Sequence, residues 1–209
     1  PKKCRKRHFL GIEFFGGKMV GVMGNVCNFA RMNTVFLIGY MGCGKTTLGA
    51  ALAQCLGVDF IDLDDYIEER CEATVKEIFA KVGEQGFRDI ERRCLEEVAS
   101  QAGGAIVACG GGTPCQPGNM ELMNSMGITI WLSTTAQRIA SRLMLPEQKA
   151  KRPLIAQMAD DEILAHVARH MQEREPHYSQ AQLTFDSTYL ESEEEIANTA
   201  AQLAGILAD

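Results

Sequence analysis

The stretch Gly39-Tyr40-Met41-Gly42-Cys43-Gly44-Lys45-Thr46 has the spacing G-x-x-x-x-G-K-[ST] of a loop built to hold nucleotide phosphates. Its surroundings fit that reading. The apolar run Thr34-Val35-Phe36-Leu37-Ile38 leads in and predicts a first strand over 34–39. A helical pattern over 44–57 leads out, with Leu48, Ala51, Leu52, Cys55 and Leu56 on one face and Gly57 as the stop. Glycines let the backbone turn tightly, so that successive N–H groups converge on phosphate oxygens, and the helix start adds partial positive charge. Lys45 supplies a full charge for the β- and γ-phosphates of ATP, and the Thr46 hydroxyl is a ligand for Mg²⁺.

Downstream, short apolar runs alternate with helical periodicity. Strands are expected at 58–61, 105–108, 128–132 and 183–185. Between them come a helix through Arg70, a capping-box start at Thr74-Val75-Lys76-Glu77, and a break at Gly83. A longer helix to about Ala102 has Phe87, Ile90, Cys94, Leu95 and Val98 on one side. Later helices are expected at 120–126 and 135–143, from Asp161 until Pro176 interrupts it, and after the Ser192-x-x-Glu195 cap. The helix from Asp161 turns Ile163, Leu164, Val167 and Met171 inward, and the last one Ile196, Ala200, Leu203 and Leu207. Five apolar strands alternating with helices predict an α/β fold, a five-stranded parallel sheet with helices on both faces. Ligands in such sheets bind beyond the carboxyl ends of the strands. Gly39, Asp62 and Asp64, Gly110–Gly112 and Ser133-Thr134 all fall on that edge.

Composition bounds the possibilities. The chain has 209 residues, 46% apolar and 23% charged, with a formal net charge of −6, ordinary for one soluble domain with a small lid. Of its 21 Lys/Arg and 27 Asp/Glu, seven basic and one acidic residue fall in 1–32, which leaves 14 against 26 in the remainder. So acidic a body is a poor nucleic-acid binder. Residues 1–32 read as an N-terminal extension, disordered or loosely attached, and the domain as 33–209. Eight cysteines without a Cys-x-x-Cys pair argue against a zinc ribbon and fit a reducing cytosol. No apolar run reaches the ~18–20 residues of a membrane span. A monomer is the expectation, since no exposed apolar stripe or heptad run is visible.

Further residues carry chemistry. Asp62 and Asp64 alternate at the second strand's end and so point to different sides, one suited to Mg²⁺ through water and one to an acceptor. Arg88 and Glu91, three apart on a helix, can pair; alone, they read as a solvated surface pair. The triplet Gly110-Gly111-Gly112 exceeds what a turn needs and admits a ligand close to bare backbone. Residues 145–160, polar and aperiodic at their start, read as a mobile lid. His166 and His170, four apart, read as a solvated helix face rather than a metal site.

In combination these motifs resemble the shikimate kinase family. The resemblance rests on Gly39-x4-Gly44-Lys45-Thr46, Phe60-Ile61-Asp62-Leu63-Asp64 with Ile67-Glu68, and Gly86-Phe87-Arg88-x-x-Glu91. It continues through Gly110-Gly111-Gly112, Lys151-Arg152-Pro153-Leu154 and Arg174-x-x-x-Tyr178-x-x-Ala181, in that order over about 33–209. It implies ATP-dependent phosphorylation of shikimate at its 3-hydroxyl. Gly42, Cys43, Gly44, Lys45, Thr46 and Thr47 would hold the ATP phosphates, Arg142 would lie on the adenine side, and Arg152 would swing in from the lid. Thr46 and Asp62 would hold Mg²⁺, Asp64 would take the ring hydroxyls and accept the proton, and Lys45, Asp64 and Arg152 would be the catalytic set. Arg88 and Arg174 would grip the carboxylate, with Gly110, Gly111 and Gly112 beside it. Cys43 stands where the family has a small Ser or Ala and raises the expectation of thiol sensitivity. Pro114 and Cys115 follow the glycines where an apolar residue is more usual, which bears on the local turn. Two other readings remain: a related kinase acting on gluconate or a nucleoside monophosphate, and a non-catalytic ATP-binding module. The first lacks a reason for Arg88, the glycine triplet and Arg174 as a unit, and the second a reason to keep every carboxylate and arginine.

Overall fold

A computed structural model describes residues 33–101, 104–150 and 152–208. The extension expected over 1–32 and Lys151 of the lid lie outside these. Among the described residues five strands form one sheet: β1 (Thr34–Ile38), β2 (Asp59–Asp62), β3 (Ala105–Ala108), β4 (Gly127–Ser133) and β5 (Leu183–Asp186). They run parallel in the order β2-β3-β1-β4-β5. β1 lies at the centre, and its residues are all buried, which requires cover on both faces of the sheet. That explains a run with no polar–apolar alternation, Val35-Phe36-Leu37-Ile38 being apolar throughout.

The helices are α1 (Lys45–Leu56), α2 (Leu63–Cys71), α3 (Val75–Ala99), α4 (Asn119–Met126), α5 (Ala136–Met144), α6 (Pro146–Ala150), α7 (Pro153–Ala156), α8 (Asp160–Tyr178) and α9 (Glu193–Ala208). α9 packs along α1, α8 along α5, and α2 along α3. α1 buries Leu48, Gly49, Leu52, Ala53 and Leu56 and ends in a left-handed Gly57. Cys55, expected on that face, is exposed; the buried stripe follows 48, 52 and 56, and Ala53 takes the flank instead. Gly83 departs from helical backbone, with φ 72° and ψ −176°, so α3 is two helices joined at a kink. Only glycine takes that conformation cheaply.

Four expectations need correction. Pro176 does not interrupt α8, which continues to Tyr178. In α8 the inward positions are Ile163, His166 and Val167, while Leu164 is exposed. His166 is 9% exposed, and its ring lies 4.0 Å from that of His170, so the pair is not a solvated face. The lid is not aperiodic loop. Prolines at 146 and 153, pre-set for a first helical turn, start the two short helices α6 and α7. A helix of four or five residues is too short to show an apolar period, which is why the pattern looked structureless.

The close approach of α1 to the sheet is testable. A Cβ at Gly49 would stand 2.6 Å from Phe60 Cε2 and 3.1 Å from Leu37 Cδ1. Gly49→Ala is expected to lose about 1–3 kcal/mol of stability through overpacking, read as a lower urea midpoint at unchanged slope.

Candidate active site

The phosphate loop is shaped by left-handed glycines. Gly42 and Gly44 have φ of 80° and 103°. Gly44 is the N-cap of α1 and offers no side-chain cap, so the first-turn N–H groups are left for an anion. Thr46 and Thr47 are exposed on that turn. Lys45 Nζ donates back to the carbonyls of Gly39 at 2.8 Å and Tyr40 at 3.0 Å, which holds the ammonium over the loop. Cys43, by contrast, is 1% exposed. Its thiol packs inward, which removes the access that reagent sensitivity needs.

The acidic tip differs from the expected alternation. β2 ends at Asp62, which is the N-cap of α2, and Asp64 already lies in the first helical turn. Asp62 Oδ1 accepts from the Asp64 N–H at 3.1 Å, while Oδ2 accepts from Thr46 Oγ1 at 2.8 Å. Two hard oxygen donors from different elements thus already stand together, and that donor chemistry suits Mg²⁺. Asp64 reaches the glycine triplet from α2. Part of its side chain is open to solvent, yet desolvation in the cleft, followed by the charges of Asp62 and Glu91, pushes its carboxyl from 3.8 up to about 6, with Lys45 opposing.

The glycine loop after β3 is where everything meets. A Cβ placed on Gly110 would stand 3.2 Å from Asp64 Oδ1 and 3.4 Å from Glu91 Oε1. One on Gly111 would stand 3.5 Å from both Arg174 Nη1 and the Met41 N–H nitrogen, and one on Gly112 3.3 Å from Arg88 Nη2. The phosphate loop, the Asp64 and Glu91 carboxylates and both arginines therefore meet around the bare backbone of the glycine triplet. Arg88 Nη1 donates to Glu91 Oε2 at 3.1 Å, and the Glu91 side chain is only 2% exposed. This is a buried, directed pair, not the solvated one that i,i+3 spacing alone allows. Arg88 Nε is buried without an acceptor among the described residues. An orphan donor of that kind is unusual away from a site that takes a ligand.

Arg174 Nη1 and Tyr178 Oη both donate to the Gly111 carbonyl, at 3.3 and 2.7 Å, and the Arg174 guanidinium sits 5.4 Å from the centre of the Tyr40 ring. Arg142 is a strut. Its guanidinium donates to the carbonyls of Gly42, Ser187 and Thr188 and pairs with Glu191, tying the phosphate loop to the segment before α9. Glu191 and Tyr178 were not singled out as site residues by sequence reasoning. Tyr178 was legible from its i,i+4 spacing to Arg174, but nothing local marks Glu191. Arg152 is not brought to this cluster: Nη1 donates twice to Gln148, to its carbonyl and to Oε1, within the lid segment. A cavity of about 300 Å³ lies to one side, lined by Tyr40, Trp131, Ile139, Met171, Gln172 and Tyr178 among others. Lys45, Asp64, Arg88 and Arg174 do not line it.

The family model for shikimate kinase matches residues 41–204. The chain belongs to the shikimate kinase family. It is 42% identical to a shikimate kinase of Parabacteroides distasonis across 84% of this chain and all of that relative. With one from Phocaeicola vulgatus it shares 44% over 79% of this chain and 93% of the other. The crystal structure of a Bacteroides thetaiotaomicron shikimate kinase superposes with a TM-score of 0.80 at 42% identity, over 86% of this chain and 100% of that one. A shikimate kinase from Acinetobacter baumannii, solved in complex with shikimate, gives 0.71 at 30% identity, over 86% of this chain and 95% of that one. The protein is accordingly an ATP-using kinase of this family, and the fold is that of these relatives.

Asp64 offers a test whose sign is unusual for a carboxylate. Its folded pKa is raised, so between pH 3.8 and about 6 the folded protein binds the proton more tightly than the unfolded chain. The ionised form, dominant above about 6, therefore costs stability. Asp64→Asn is expected to remove turnover while leaving the Tm at pH 7 unchanged or higher. The wild-type kcat/KM for the acceptor is expected to fall as pH drops through about 6. Scanning calorimetry and pH-rate profiles check both.

Proposed function

We propose that this shikimate kinase family member transfers the γ-phosphoryl group of ATP to the 3-hydroxyl of shikimate, giving shikimate 3-phosphate and ADP for aromatic amino acid biosynthesis. The observation that carries the assignment is the convergence of Arg88 and Arg174 on the glycine loop that also abuts Asp64 and the phosphate loop. A small polyhydroxylated acid needs cationic forks for its carboxylate and an acceptor for its hydroxyls, and guanidinium suits the first task better than ammonium. Gluconate or a nucleoside monophosphate leaves that paired clamp unexplained, and a mere ATP binder leaves Asp64 unexplained.

Each residue then has a task. The N–H groups from Gly42 to Thr47 and the Lys45 ammonium hold the ATP phosphates, and phosphate oxygens take the place of the Gly39 and Tyr40 carbonyls as acceptors from Nζ. Thr46 and Asp62 would hold Mg²⁺, which would supply neutralisation of the phosphate charge. Arg88 and Arg174 fix the acid's carboxylate, which orients the 3-hydroxyl. Asp64 accepts a hydrogen bond from that hydroxyl and then its proton, a task matched to a pKa raised to about 6. Arg152 exchanges its Gln148 partners for the transferring group when the lid closes, which also excludes water. Arg142 keeps the nucleotide-side loops in place. Phosphoryl transfer needs this positioning and charge neutralisation more than covalent help. The enzyme acts as a cytoplasmic monomer in this reading. Among the described residues no helix is long and apolar enough to cross a membrane, and the large exposed apolar residues, such as Val82, Met126 and Tyr189, are well separated in sequence.

An ADP-release assay decides the substrate. Shikimate is expected to stimulate ATP consumption where gluconate and AMP do not, and failure of shikimate to do so overturns the assignment. Arg88→Ala and Arg174→Ala are each expected to raise KM for shikimate about 10–100-fold, the loss of one charge-assisted hydrogen-bonding group. Lys45→Ala is expected to lower kcat by about 10²–10³-fold or more.

A further inference from the structure

Glu91 uses its two carboxylate oxygens separately. Oε2 accepts from Arg88 Nη1 at 3.1 Å, and Oε1 accepts from the Thr113 hydroxyl at 2.6 Å. Thr113 is fully buried and opens the short turn after the glycine triplet. Its own position is braced: its N–H donates to the Gly110 carbonyl at 3.1 Å, and its carbonyl accepts from Asn119 Nδ2 at 2.8 Å. Asn119, 1% exposed, turns Oδ1 to Arg92 Nη1 at 2.9 Å. Arg92 lies on α3 with Glu91 and Arg88. The chain of contacts therefore closes on itself, running from α3 through Glu91, Thr113 and Asn119 back to α3 through Arg92.

We propose that Thr113 is a positioning residue for substrate binding: through Glu91 it sets the orientation of Arg88, and the Asn119–Arg92 brace fixes Thr113 in turn. A carboxylate with two buried oxygens adopts the rotamer that satisfies both. With the hydroxyl in place, one oxygen is anchored on the glycine loop and the other is aimed at the guanidinium. Without it, Oε1 is a buried acceptor with no donor, and Glu91 can regain one only by turning, which takes Arg88 with it. The same hydroxyl stands 3.0 Å from the Cβ position of Gly110, so the side chain also spaces the loop from α3. The hydroxyl is what matters, not the volume. Valine preserves the shape and deletes the donor, whereas serine preserves the donor and deletes a methyl group.

This inference rests on Arg88 being the carboxylate grip, and the experiment separates the two. Thr113→Val is expected to raise KM for shikimate about 10-fold, equivalent to ~1.4 kcal/mol, with KM for ATP changed by no more than about twofold. Thr113→Ser is expected to return KM for shikimate to within about twofold of the wild type. In an Arg88→Ala background, Thr113→Val is expected to add nothing, because its effect runs through that arginine. Should Thr113→Val give no folded protein, Thr113→Ala carries the same expectations. An unchanged KM for shikimate in the valine variant, or a penalty that adds in full to Arg88→Ala, overturns the proposal. So does an equal loss in the valine and serine variants, which would mark a packing role. If Arg88→Ala itself leaves KM for shikimate unmoved, the clamp reading falls and this inference with it. A raised KM in Arg88→Ala beside a neutral Thr113→Val sinks this inference alone.

Discussion

A methyl group on Gly110 would press on Asp64 and one on Gly112 on Arg88, while one on Gly111 would lie against Arg174; all three neighbours belong to other elements. The site can be this small only because the loop after β3 contributes backbone and nothing else. β3 lies between β2 and β1 in the sheet, so its exit is flanked by the carboxylate tip of β2 and the phosphate loop of β1. Two arginines then reach the same loop from α3 and α8, elements far apart in the chain. Glycine at three successive positions carries an entropic cost in the unfolded state. What offsets it here is the packing of four side chains from three helices around one turn.

The electrostatics follow from that crowding. The body of the protein is acidic, but the cleft concentrates Lys45, Arg88 and Arg174 beside Asp62, Asp64 and Glu91. Glu91 is nearly fully buried and is satisfied by Arg88 and Thr113. Buried charge survives only when its partners are this well directed. Among the described residues Asp64 has no such partner at hydrogen-bond distance; desolvation in the cleft, and then the like charges of Asp62 and Glu91, raise its pKa. The contrast separates two neighbouring carboxylates: one is locked into structure, and the other is left without a directed partner among the described residues. In the proposed reaction the acceptor hydroxyl meets the second.

Much of this was legible in the chain because it rests on local rules. The strands appear as apolar runs, the phosphate loop has fixed spacing, Gly83 marked the kink in α3, and Thr74 with Glu77 formed the reciprocal cap that spacing predicts. What stayed hidden depends on long-range partners. Asp64 looked like a strand residue because nothing in Phe60-Ile61-Asp62-Leu63-Asp64 shows that Asp62 caps a helix. Arg88 and Glu91 looked like a surface pair because i,i+3 spacing is silent about burial. The choice of His166 over Leu164 for the core reverses ordinary hydropathy, and only the neighbours of α8 determine it. Thr113, Asn119 and Glu191 matter through contacts between 6 and 49 positions away in sequence, at distances where no periodicity operates.

Pro176 shows how a functional constraint overrides a local rule. Proline in a helix lacks the N–H for its i−4 carbonyl and crowds that carbonyl, which ordinarily ends or kinks the helix. Here α8 continues for two more residues. Arg174 and Tyr178 both donate to the Gly111 carbonyl, and residues four apart share a face only if the helix runs through both. A break at Pro176 would turn Tyr178 away and leave Arg174 as the sole donor to that oxygen. Tyr178 is 2% exposed, so its burial and its 2.7 Å hydrogen bond reward continuity at the position where proline penalises it. The position of the proline limits the damage, because it falls in the last turn, where only two residues remain to be carried past it. The final turn of α8 is thus held by its contact with the glycine loop, which makes the helix end and the proposed carboxylate clamp a single structural unit.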